Sequence, residues 1–543
     1  MYKHYLFRKI LVYCIIFLFF SVNSLTTMSK LIDDDFNLAL EINKKPLKSI
    51  SYIEIQRPIL EEPPGIQWIK TFGDEPFYDE GYDVKLTRDG GFIITGMTRS
   101  YGPDHYEAGW LIKTDSNGFE EWNQTYGEPG GLNKDWGHSV QQTSDSGYVF
   151  TGTSFSYNPN NDMMIWLVKT DVNGTEEFNK VYGKGRGFSV QQTKDGGYIV
   201  CGDGPSAQPL LLKTDENGNE SWRRTYWSSG AGNSVDETID GGFVFIGDVD
   251  IEGDDDIDIF LIKTDRNGTE EIKTTFGKAD WFERGDSVHY TDDGGYIIAG
   301  FVNNPDDWIK AWLIKTDENG IEVWNRTFGE KNYKYFGEDV LQCDDGGYIL
   351  TGYYIYSFNE YSSWLIKTDS YGNKIWQVTI PYTEKSNKII HSVDKTVDGG
   401  YILAGDIGPG GIGDALLVKI APSDAPYNPD IDGPTRGIPD EEYNYTFVTS
   451  DPNDEQVYYW IEWGDSSNTG WLGPFDSDVE ITESHIWDTR GLYTIKAKAK
   501  NINGLESGFS ELEVNIPRTR ISSYHWLFER FPILERLLGW IRN

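Results

Sequence analysis

The densest group of potential metal ligands in the sequence is the acidic run DVDIEGDDDID, at residues 248–258. Carboxylate oxygens are the ligands that calcium prefers in proteins, so Asp250, Asp254, Asp256 and Asp258 are the candidates for a divalent-cation site. Their spacing does not complete a calcium loop, and a solvated acidic loop is the alternative interpretation. We therefore expect no cofactor, with calcium as the one exception that the sequence leaves open.

Aromatic side chains beside carboxylates form a second group with recognisable chemistry. They occur in segments such as RSYGPDHYEA, at residues 99–108, and YYIYSFNEYSS, at residues 353–363. Aromatic rings stack on sugars and also grip polypeptides. The alternative is that single rings only cover the ends of strands. The predicted ligand-binding residues are Tyr101, His105, Tyr106, Trp136, Tyr157, Trp281, Trp308, Tyr335 and Tyr356.

Motifs that carry catalysis are missing from the sequence. It contains no GxSxG nucleophile elbow, HExxH zinc motif, P-loop or dinucleotide-binding fingerprint. Its seven histidines form no ligand pair at helical or hairpin spacing. We therefore predict no catalytic residue and favour a binding role. A secreted polysaccharide-active lyase or hydrolase, and a purely structural envelope protein, remain the alternatives.

The charge and the N-terminus indicate an exported protein. The formal net charge is −38 at pH 7, which excludes a nucleic-acid partner because phosphates require a basic surface. Lys3, Arg8 and Lys9 precede an apolar run at residues 10–22, a pattern typical of a signal peptide over residues 1–24. An uncleaved membrane anchor is the alternative. We expect a secreted or cell-surface location.

Glycosylation sequons support the same location. Asn-x-Ser/Thr sequences predict attachment sites at Asn123, Asn173, Asn219, Asn267, Asn325 and Asn444. The alternative is that several of them arise only because Asn-Gly pairs form turns.

Most of the chain is a repeat. An Asp-Gly-Gly-aromatic turn recurs every 45 to 56 residues, and one copy has Ser146 in place of its first glycine. The aspartates of the seven copies are Asp89, Asp145, Asp195, Asp240, Asp293, Asp345 and Asp398. Each unit contains four strand-like segments bounded by turn residues, which is typical of propeller blades.

The two ends of the repeat region complement each other. The seventh unit stops near Pro422 without its fourth segment, and an isolated fourth segment, IQWIKTFG, opens the region at residues 66–73. Pairing of these ends would protect an exposed sheet edge. The sequence therefore predicts an all-β protein with a seven-bladed β-propeller, closed by an N-terminal strand, at residues 65–422.

Strand direction divides the turns of each unit between two ends. The Asp-Gly-Gly turns and the Thr-Asp-x-x-Gly turns between third and fourth strands fall at one end, which we call the constant end. The loops between second and third strands and the connections between units fall at the other, which we call the variable end. Ligand-binding loops are expected at the variable end.

The repeated KTDxxGxxxW line resembles the repeat of pyrroloquinoline-quinone-type propellers. Six turns carry it, beginning at Asp115, Asp171, Asp215, Asp265, Asp317 and Asp369. The tryptophan follows in four of these turns, at Trp122, Trp222, Trp324 and Trp376, and Phe178 and Ile272 replace it in the other two. The resemblance implies a shared propeller architecture, and no active-site residue of the quinone enzymes is carried over.

Residues 424–517 resemble a polycystic-kidney-disease-type (PKD) domain, an immunoglobulin-like β-sandwich of exported archaeal and bacterial surface proteins. The matching residues are Trp463-Gly464-Asp465, His485, Trp487 and the run GLYT that starts at Gly491. The resemblance implies core roles for these aromatic residues and a structural role for His485.

The remaining segments are a linker at residues 25–64 and an amphipathic tail at residues 518–543. The tail resembles the ends of exported archaeal repeat proteins, and its interleaved aromatic and charged residues suit membrane or envelope contact. The sequence as a whole predicts a cell-surface binding or adhesion protein with a carbohydrate or a surface protein as its partner. It gives no indication of the oligomeric state.

Overall fold

A computed structural model describes residues 63–74, 76–128, 134–250, 257–278, 281–304, 308–357, 360–380, 387–408 and 413–517. The predicted signal peptide, nearly all of the linker and the C-terminal tail lie outside the described residues. The described chain is all-β, with small antiparallel sheets and a short 3-10 turn at Pro103–His105. None of its described helices is long and apolar enough to cross a membrane.

Seven sheets of four strands follow one another in the repeat region. The first strands are β2 (Asp79–Leu86), β6 (Asp135–Gln142), β10 (Arg186–Gln192), β14 (Ala231–Glu237), β18 (Phe282–Tyr290), β22 (Lys334–Gln342) and β26 (Asn387–Lys395). The second strands are β3 (Phe92–Thr98), β7 (Tyr148–Ser154), β11 (Tyr198–Asp203), β15 (Phe243–Asp250), β19 (Tyr296–Asn304), β23 (Tyr348–Ser357) and β27 (Tyr401–Gly408). The third strands are β4 (Ala108–Thr114), β8 (Met164–Thr170), β12 (Pro209–Thr214), β16 (Ile257–Thr264), β20 (Trp308–Thr316), β24 (Glu360–Thr368) and β28 (Asp414–Ile420).

The fourth strands complete the sheets. They are β5 (Glu120–Tyr126), β9 (Glu176–Lys184), β13 (Glu220–Thr225), β17 (Glu270–Phe276), β21 (Glu322–Phe328), β25 (Lys374–Ile380) and, in the seventh sheet, β1 (Ile66–Phe72). β1 pairs antiparallel with β28, so the earliest strand of the chain belongs to the last sheet. One parallel bridge between Ile257 and Phe282 joins the fourth and fifth sheets into a single eight-stranded sheet.

A lysine, buried in six sheets and half-buried as Lys263 in the fourth, holds each Asp-Gly-Gly turn at the constant end. In the first sheet, Thr87 Oγ1 and Gly91 N donate hydrogen bonds of 2.5 and 3.0 Å to Asp89 Oδ1. Lys113 Nζ lies 3.0 Å from Asp89 and 2.9 Å from Glu121. The turn aspartate is thus satisfied within the sheet. Equivalent lysine–aspartate pairs are Lys169–Asp145, Lys213–Asp195, Lys263–Asp240, Lys315–Asp293, Lys367–Asp345 and Lys419–Asp398.

Side chains of the fourth strands pack on glycines of the following sheet. Gly174 has a φ of +78°, and a Cβ on it would lie 2.7 Å from the ring of Trp122. Only glycine meets both conditions, which explains its recurrence in the Thr-Asp-x-x-Gly turn. The equivalent contacts join Trp68 to Gly118, Phe178 to Gly218, Trp222 to Gly268, Ile272 to Gly320 and Trp324 to Gly372.

The C-terminal part contains two further sheets. One has the order β29 (Asp430–Asp432), β30 (Glu442–Val448), β33 (Ile481–Ile486). The other has the order β32 (Asn468–Phe475), β31 (Val457–Glu462), β34 (Gly491–Asn501), β35 (Ser510–Ile516). Trp463, Trp487 and Tyr493 lie in their shared core. The His485 ring stacks on Trp463 at 4.7 Å, and its Nε2 lies 2.8 Å from Asp465.

Candidate functional site

A cavity of about 160 Å³ lies between the first strands of all seven sheets, and we call it the first-strand cavity. Each first strand has a β-bulge at the same point, where one extra residue interrupts the pairing with the second strand. These bulge residues are Tyr82, His138, Phe188, Asn233, Asp286, Glu338 and His391, and all seven line the cavity. A different side chain therefore enters the cavity from each neighbouring sheet.

The residue after each bulge fixes one first strand to the next. It is a serine or an aspartate whose side chain accepts a hydrogen bond of 2.9 to 3.4 Å from a valine N–H on the adjacent first strand. The donor and acceptor pairs are Val84–Ser392, Val140–Asp83, Val190–Ser139, Val235–Ser189, Val288–Ser234, Val340–Ser287 and Val393–Asp339. These bonds link successive sheets and also link the seventh sheet to the first.

The bulge residues form an aromatic arc and a polar arc. The ring of Tyr82 lies 5.4 Å from that of His138 and 5.8 Å from that of His391. The His138 ring lies 5.5 Å from Phe188. Burial and the nearby Arg186 lower the pKa of His138 to about 4, so this part of the wall is uncharged at neutral pH. The polar arc consists of Asn233, Asp286 and Glu338.

An acid–base group adjoins the aromatic arc. The Tyr82 hydroxyl donates a hydrogen bond to Glu80. Burial raises the pKa of Glu80 to about 7, although the bond from Tyr82 opposes the shift. His391 lies between Asp406, 3.0 Å from Nε2, and Glu338, 3.5 Å from Nδ1. Burial lowers the pKa of His391, but hydrogen bonds to these two carboxylates outweigh it and raise the value to about 10. A protonatable carboxyl thus lies close to an imidazolium.

The polar arc contains a second buried carboxylate. Asp286 Oδ1 lies 2.8 Å from Arg284 Nε. Burial raises the pKa of Asp286; Arg284 opposes this shift, and Glu338 and Asp248 add to it. Asn233 donates 3.0 and 2.8 Å hydrogen bonds to Asp248 and to the Gly285 carbonyl, so its amide is fixed within the arc.

The predicted ligand-binding residues lie in loops and at strand ends of separate sheets, at the variable end. Tyr101, Tyr106 and Trp308 are 40%, 38% and 47% exposed. His105 is exposed, and its ring stacks on Phe77 at 3.9 Å. The half-buried members of the set are Trp136, Tyr157, Trp281 and Tyr356.

Trp136 is the predicted residue that adjoins the first-strand cavity. Its indole Nε1 donates a 2.9 Å hydrogen bond to Glu107, and its ring lies 6.4 Å from His138. Tyr157 instead packs on Trp166 and accepts a 2.7 Å hydrogen bond from Asn179. The structure brings Trp136 together with the bulge residues and leaves Tyr157 in its own sheet.

The assignment of Tyr335 to a ligand surface needs correction. Tyr335 is 4% exposed, and its ring stacks on Tyr354 at 4.9 Å and packs near Trp364. It lies inside β22, where the pleat of the strand directs it into the core between sheets. It is therefore a packing residue.

The predicted cation site falls largely outside the described residues, because Asp254 and Asp256 belong to the segment 251–256. Asp250 and Asp258 lie at neighbouring register positions of β15 and β16. Among the described residues, no group of three or more His, Cys, Asp or Glu side chains is placed to hold a metal ion. Calcium binding at the acidic run stays a prediction.

The predicted glycosylation sites lie on fourth strands, on adjoining turns and in the C-terminal part. Five of the asparagines are exposed: Asn173, Asn219, Asn267, Asn325 and Asn444. Asn123 is half-buried, accepts a 3.2 Å hydrogen bond from Trp110 Nε1 and donates one of 2.7 Å to Glu120. A glycan on Asn123 would disturb these contacts, and one on Asn325 would disturb the equivalent bonds to Trp312 and Glu322.

The bulge residues were not predicted as site residues, although the sequence contains a signal for them. Six of the seven first strands read Gly-x-Ser/Asp-Val, and x is a different residue type in each. One strongly varied position inside an otherwise repeated strand marks the side chain that the scaffold leaves free. The bulge that directs this position into the cavity becomes evident only from the strand register.

Comparisons with known proteins show similarity to solved structures over parts of the chain only. No protein-family model and no curated protein matches the chain. The PKD domain of an M14-like peptidase from Thermoplasmatales archaeon SCGC AB-540-F20 is 47% identical over 18% of this chain and 98% of that chain, with a TM-score of 0.17. A protein of unknown function from Bacteroides caccae is 13% identical over 52% of this chain and 93% of that one, with a TM-score of 0.34.

Proposed function

We propose that residues 65–422 form a seven-bladed β-propeller in which each sheet is one blade and β1 closes the last blade. The hydrogen bond from Val84 to Ser392 and the contact of Trp68 with Gly118 support closure, since both join the seventh sheet to the first. A cavity lined by every first strand is also what the axis of a propeller would leave.

We further propose that residues 424–517 are a PKD-like domain that acts as a spacer. Its three-stranded and four-stranded sheets enclose one aromatic core, as expected for an immunoglobulin-like sandwich. The stacking of His485 on Trp463 supports the structural role expected for this histidine.

For the whole chain, we propose an exported, cell-surface-associated binding protein that recognises its ligand at the variable end, over the mouth of the first-strand cavity. One observation carries this proposal. The bulge position differs between neighbouring sheets, while the serine or aspartate that follows it, with its hydrogen bond, repeats. Repeated positions hold the scaffold, and varied positions on a rigid scaffold are where binding residues occur.

The surroundings of the mouth suit a carbohydrate or a surface protein. Tyr101 and Tyr106 expose their rings in a loop of the variable end, and Trp308 exposes its ring at the start of β20. The N-terminal pattern at residues 1–24 supports export, and the amphipathic tail at residues 518–543 supports contact with a membrane or an envelope.

A binding screen of the full chain tests the proposal. Glycan and surface-protein arrays should give a selective ligand whose binding is strongly reduced by Phe188→Ala and by Trp136→Ala. Tyr371→Ala is the matched control, because Tyr371 is an exposed aromatic residue on a turn at the constant end. If ligand binding is unchanged by Phe188→Ala and Trp136→Ala but is lost with Tyr371→Ala, the proposed binding surface is refuted.

A polysaccharide-active enzyme is the second candidate function. Glu80, Tyr82 and His391 favour it, because they place a protonatable carboxyl, a phenol and an imidazolium side by side, as proton transfer in a lyase or hydrolase requires. Release of product from a bound polysaccharide, abolished by Glu80→Gln, would favour this function. Binding without product release would favour the binding protein.

A further inference from the structure

The polar arc of the first-strand cavity contains a carboxylate oxygen that the fold does not satisfy. Asp286 Oδ1 is paired with Arg284, but Oδ2 has no hydrogen-bond partner in the part of the chain that the structure describes. The Asp286 side chain is only 9% exposed and lines the cavity. A buried acceptor without a partner costs free energy, which a donor on a ligand would recover.

Carboxylates exceed cations around this oxygen. Glu338 lines the cavity beside Asp286, and Asp248 is near enough to raise the pKa of Asp286. The cationic groups that line the cavity or face the arc are already paired: Arg284 with Asp286, His391 with Glu338, and Lys85 with Asp83. The His289 ring, which also lines the cavity, lies 3.8 Å from Asp236. An additional positive charge would therefore be stabilised electrostatically at the polar arc.

The opposite wall of the cavity is aromatic, and the guanidinium beside it, that of Arg186 over the Phe188 ring, is paired with Asp203. This wall presents Tyr82, His138 and Phe188, and His138 is uncharged at neutral pH. A cation held by carboxylates on one side and by ring faces on the other gains from both contacts. This pairing favours an ammonium group over a neutral hydroxyl.

The size of the cavity limits the ligand. A cavity of about 150 Å³ accommodates a molecule the size of benzene, and the first-strand cavity measures about 160 Å³. A butylammonium chain, which is close to benzene in size, fits that space.

We propose that Asp286 and Glu338 bind the primary ammonium group of an alkylamine chain that enters the first-strand cavity from the variable end. The inference rests on the proposed binding function and names the chemistry its ligand must carry. Two sources share this chemistry: a lysine side chain of a polypeptide and a free aliphatic diamine.

Isothermal titration calorimetry of the full chain tests the proposal at pH 8 and 0.15 M NaCl, where attraction by distant surface charges is screened. The probes are butylamine, cadaverine and N-acetyl-lysine methylamide. Butanol and N-acetyl-norleucine methylamide are the neutral controls. We expect saturable binding of the amines and at least tenfold weaker binding of the controls. Preference for the lysine derivative over cadaverine would indicate a polypeptide source, and the reverse preference a diamine.

Isosteric variants locate the site. Asp286→Asn should weaken amine binding at least tenfold, and Glu338→Gln several-fold. Glu318→Gln, which removes the same charge from an exposed turn at the constant end, should leave binding unchanged. If Asp286→Asn fails to fold, Glu338→Gln decides the outcome. Equal weakening by Glu318→Gln, or equal binding of the neutral controls, would overturn the proposal.

The two proposals fail in different ways. An array-selected ligand that is lost with Phe188→Ala but kept with Asp286→Asn and Glu338→Gln, together with no amine binding, would refute the ammonium site and leave the binding function intact. Amine binding that disappears in the Asp286 and Glu338 variants supports the site whether or not the arrays yield a ligand.

Discussion

The constant and the variable ends of the repeat region use the same strands for opposite purposes. At the constant end, every sheet contains the same lysine–aspartate pair, and its polar atoms are satisfied within the sheet. At the bulges, neighbouring sheets carry different residues, and Asp286 keeps an oxygen without a partner in the described chain. Repeated positions hold the scaffold, and the varied positions inside the repeat are those that we propose for ligand recognition.

Two half-buried tryptophans give the largest expected difference between the ends. Trp122→Ala should destabilise the protein by about 3 kcal/mol, because the ring fills the space over Gly174 in the next sheet. Trp136→Ala, at the variable end, should cost about 1 kcal/mol, since its indole packs beside the cavity. Urea denaturation measures both. Equal losses would show that the two ends do not differ in their contribution to stability.

Two lysines provide the next test. Lys169→Met should cost about 2 kcal/mol, because it removes charge-assisted bonds to Asp145 and Glu177 and leaves these carboxylates facing each other. Lys184→Met removes an exposed ion pair with Asp162 at the variable end and should cost less than about 0.5 kcal/mol. Both values come from chemical denaturation at neutral pH. If Lys184→Met lowers the free energy of unfolding as much as Lys169→Met does, the two ends do not differ in how much their ion pairs stabilise the fold.

Carboxyl groups at the two ends should change stability with pH in opposite directions. Burial raises the pKa of Asp145, but hydrogen bonds from Thr143 and Lys169 outweigh it and lower the value from 3.8 to about 2. Its stabilising contribution is therefore complete above pH 3.8 and is lost as the pH falls through about 2. The pKa of Glu80 is raised from 4.5 to about 7, so its contribution is complete below pH 4.5 and is lost as the pH rises through about 7.

Thermal unfolding midpoints measured across this pH range separate the two groups. Asp145→Asn should flatten the decline on the acid side, and Glu80→Gln should flatten the decline between pH 4.5 and 7. If Glu80→Gln changes the unfolding midpoint only below pH 4.5, the pKa of Glu80 is lowered by folding and not raised.

The smallest expected effect comes from removing one hydroxyl. Tyr82→Phe removes the hydrogen bond that opposes the raised pKa of Glu80, so the loss of Glu80-dependent stability should move to higher pH. The stability at pH 5 should change by less than about 1 kcal/mol, because Glu80 is then protonated. The same pH series of unfolding midpoints measures this change, and a move to lower pH would contradict the role of Tyr82.

Local turn chemistry explains how much of the fold the sequence predicts. Asp89 accepts bonds from residues within two positions of it, and Gly118 requires a positive φ, so both turns are evident from short segments. Tyr335 was misassigned because the strand β22 begins one residue before it, inside what reads as a loop. The position of a strand boundary depends on pairing with residues far away in the chain.

Prediction of the candidate site from the sequence would require long-range geometry even more than prediction of the strand boundaries does. Tyr82, Asp286 and His391 are far apart in the sequence, and their proximity follows from seven bulges in register. No local pattern indicates that Asp286 is buried or that one of its oxygens lacks a partner. The varied position of the repeat was visible, but its direction into a shared cavity required the structure.

Exchange of two bulge residues tests whether these residues recognise the ligand. The double variant Phe188→Asn and Asn233→Phe keeps the composition of the cavity wall and changes its order, with loss of the two hydrogen bonds that Asn233 donates. Its control is Glu216→Arg with Arg266→Glu, an exchange between two exposed turns at the constant end. We predict that the first variant loses an array-selected ligand and unfolds within about 5 °C of the parent, and that the control keeps both properties. Unchanged ligand binding by the rearranged cavity would contradict the claim that the bulge residues recognise the ligand.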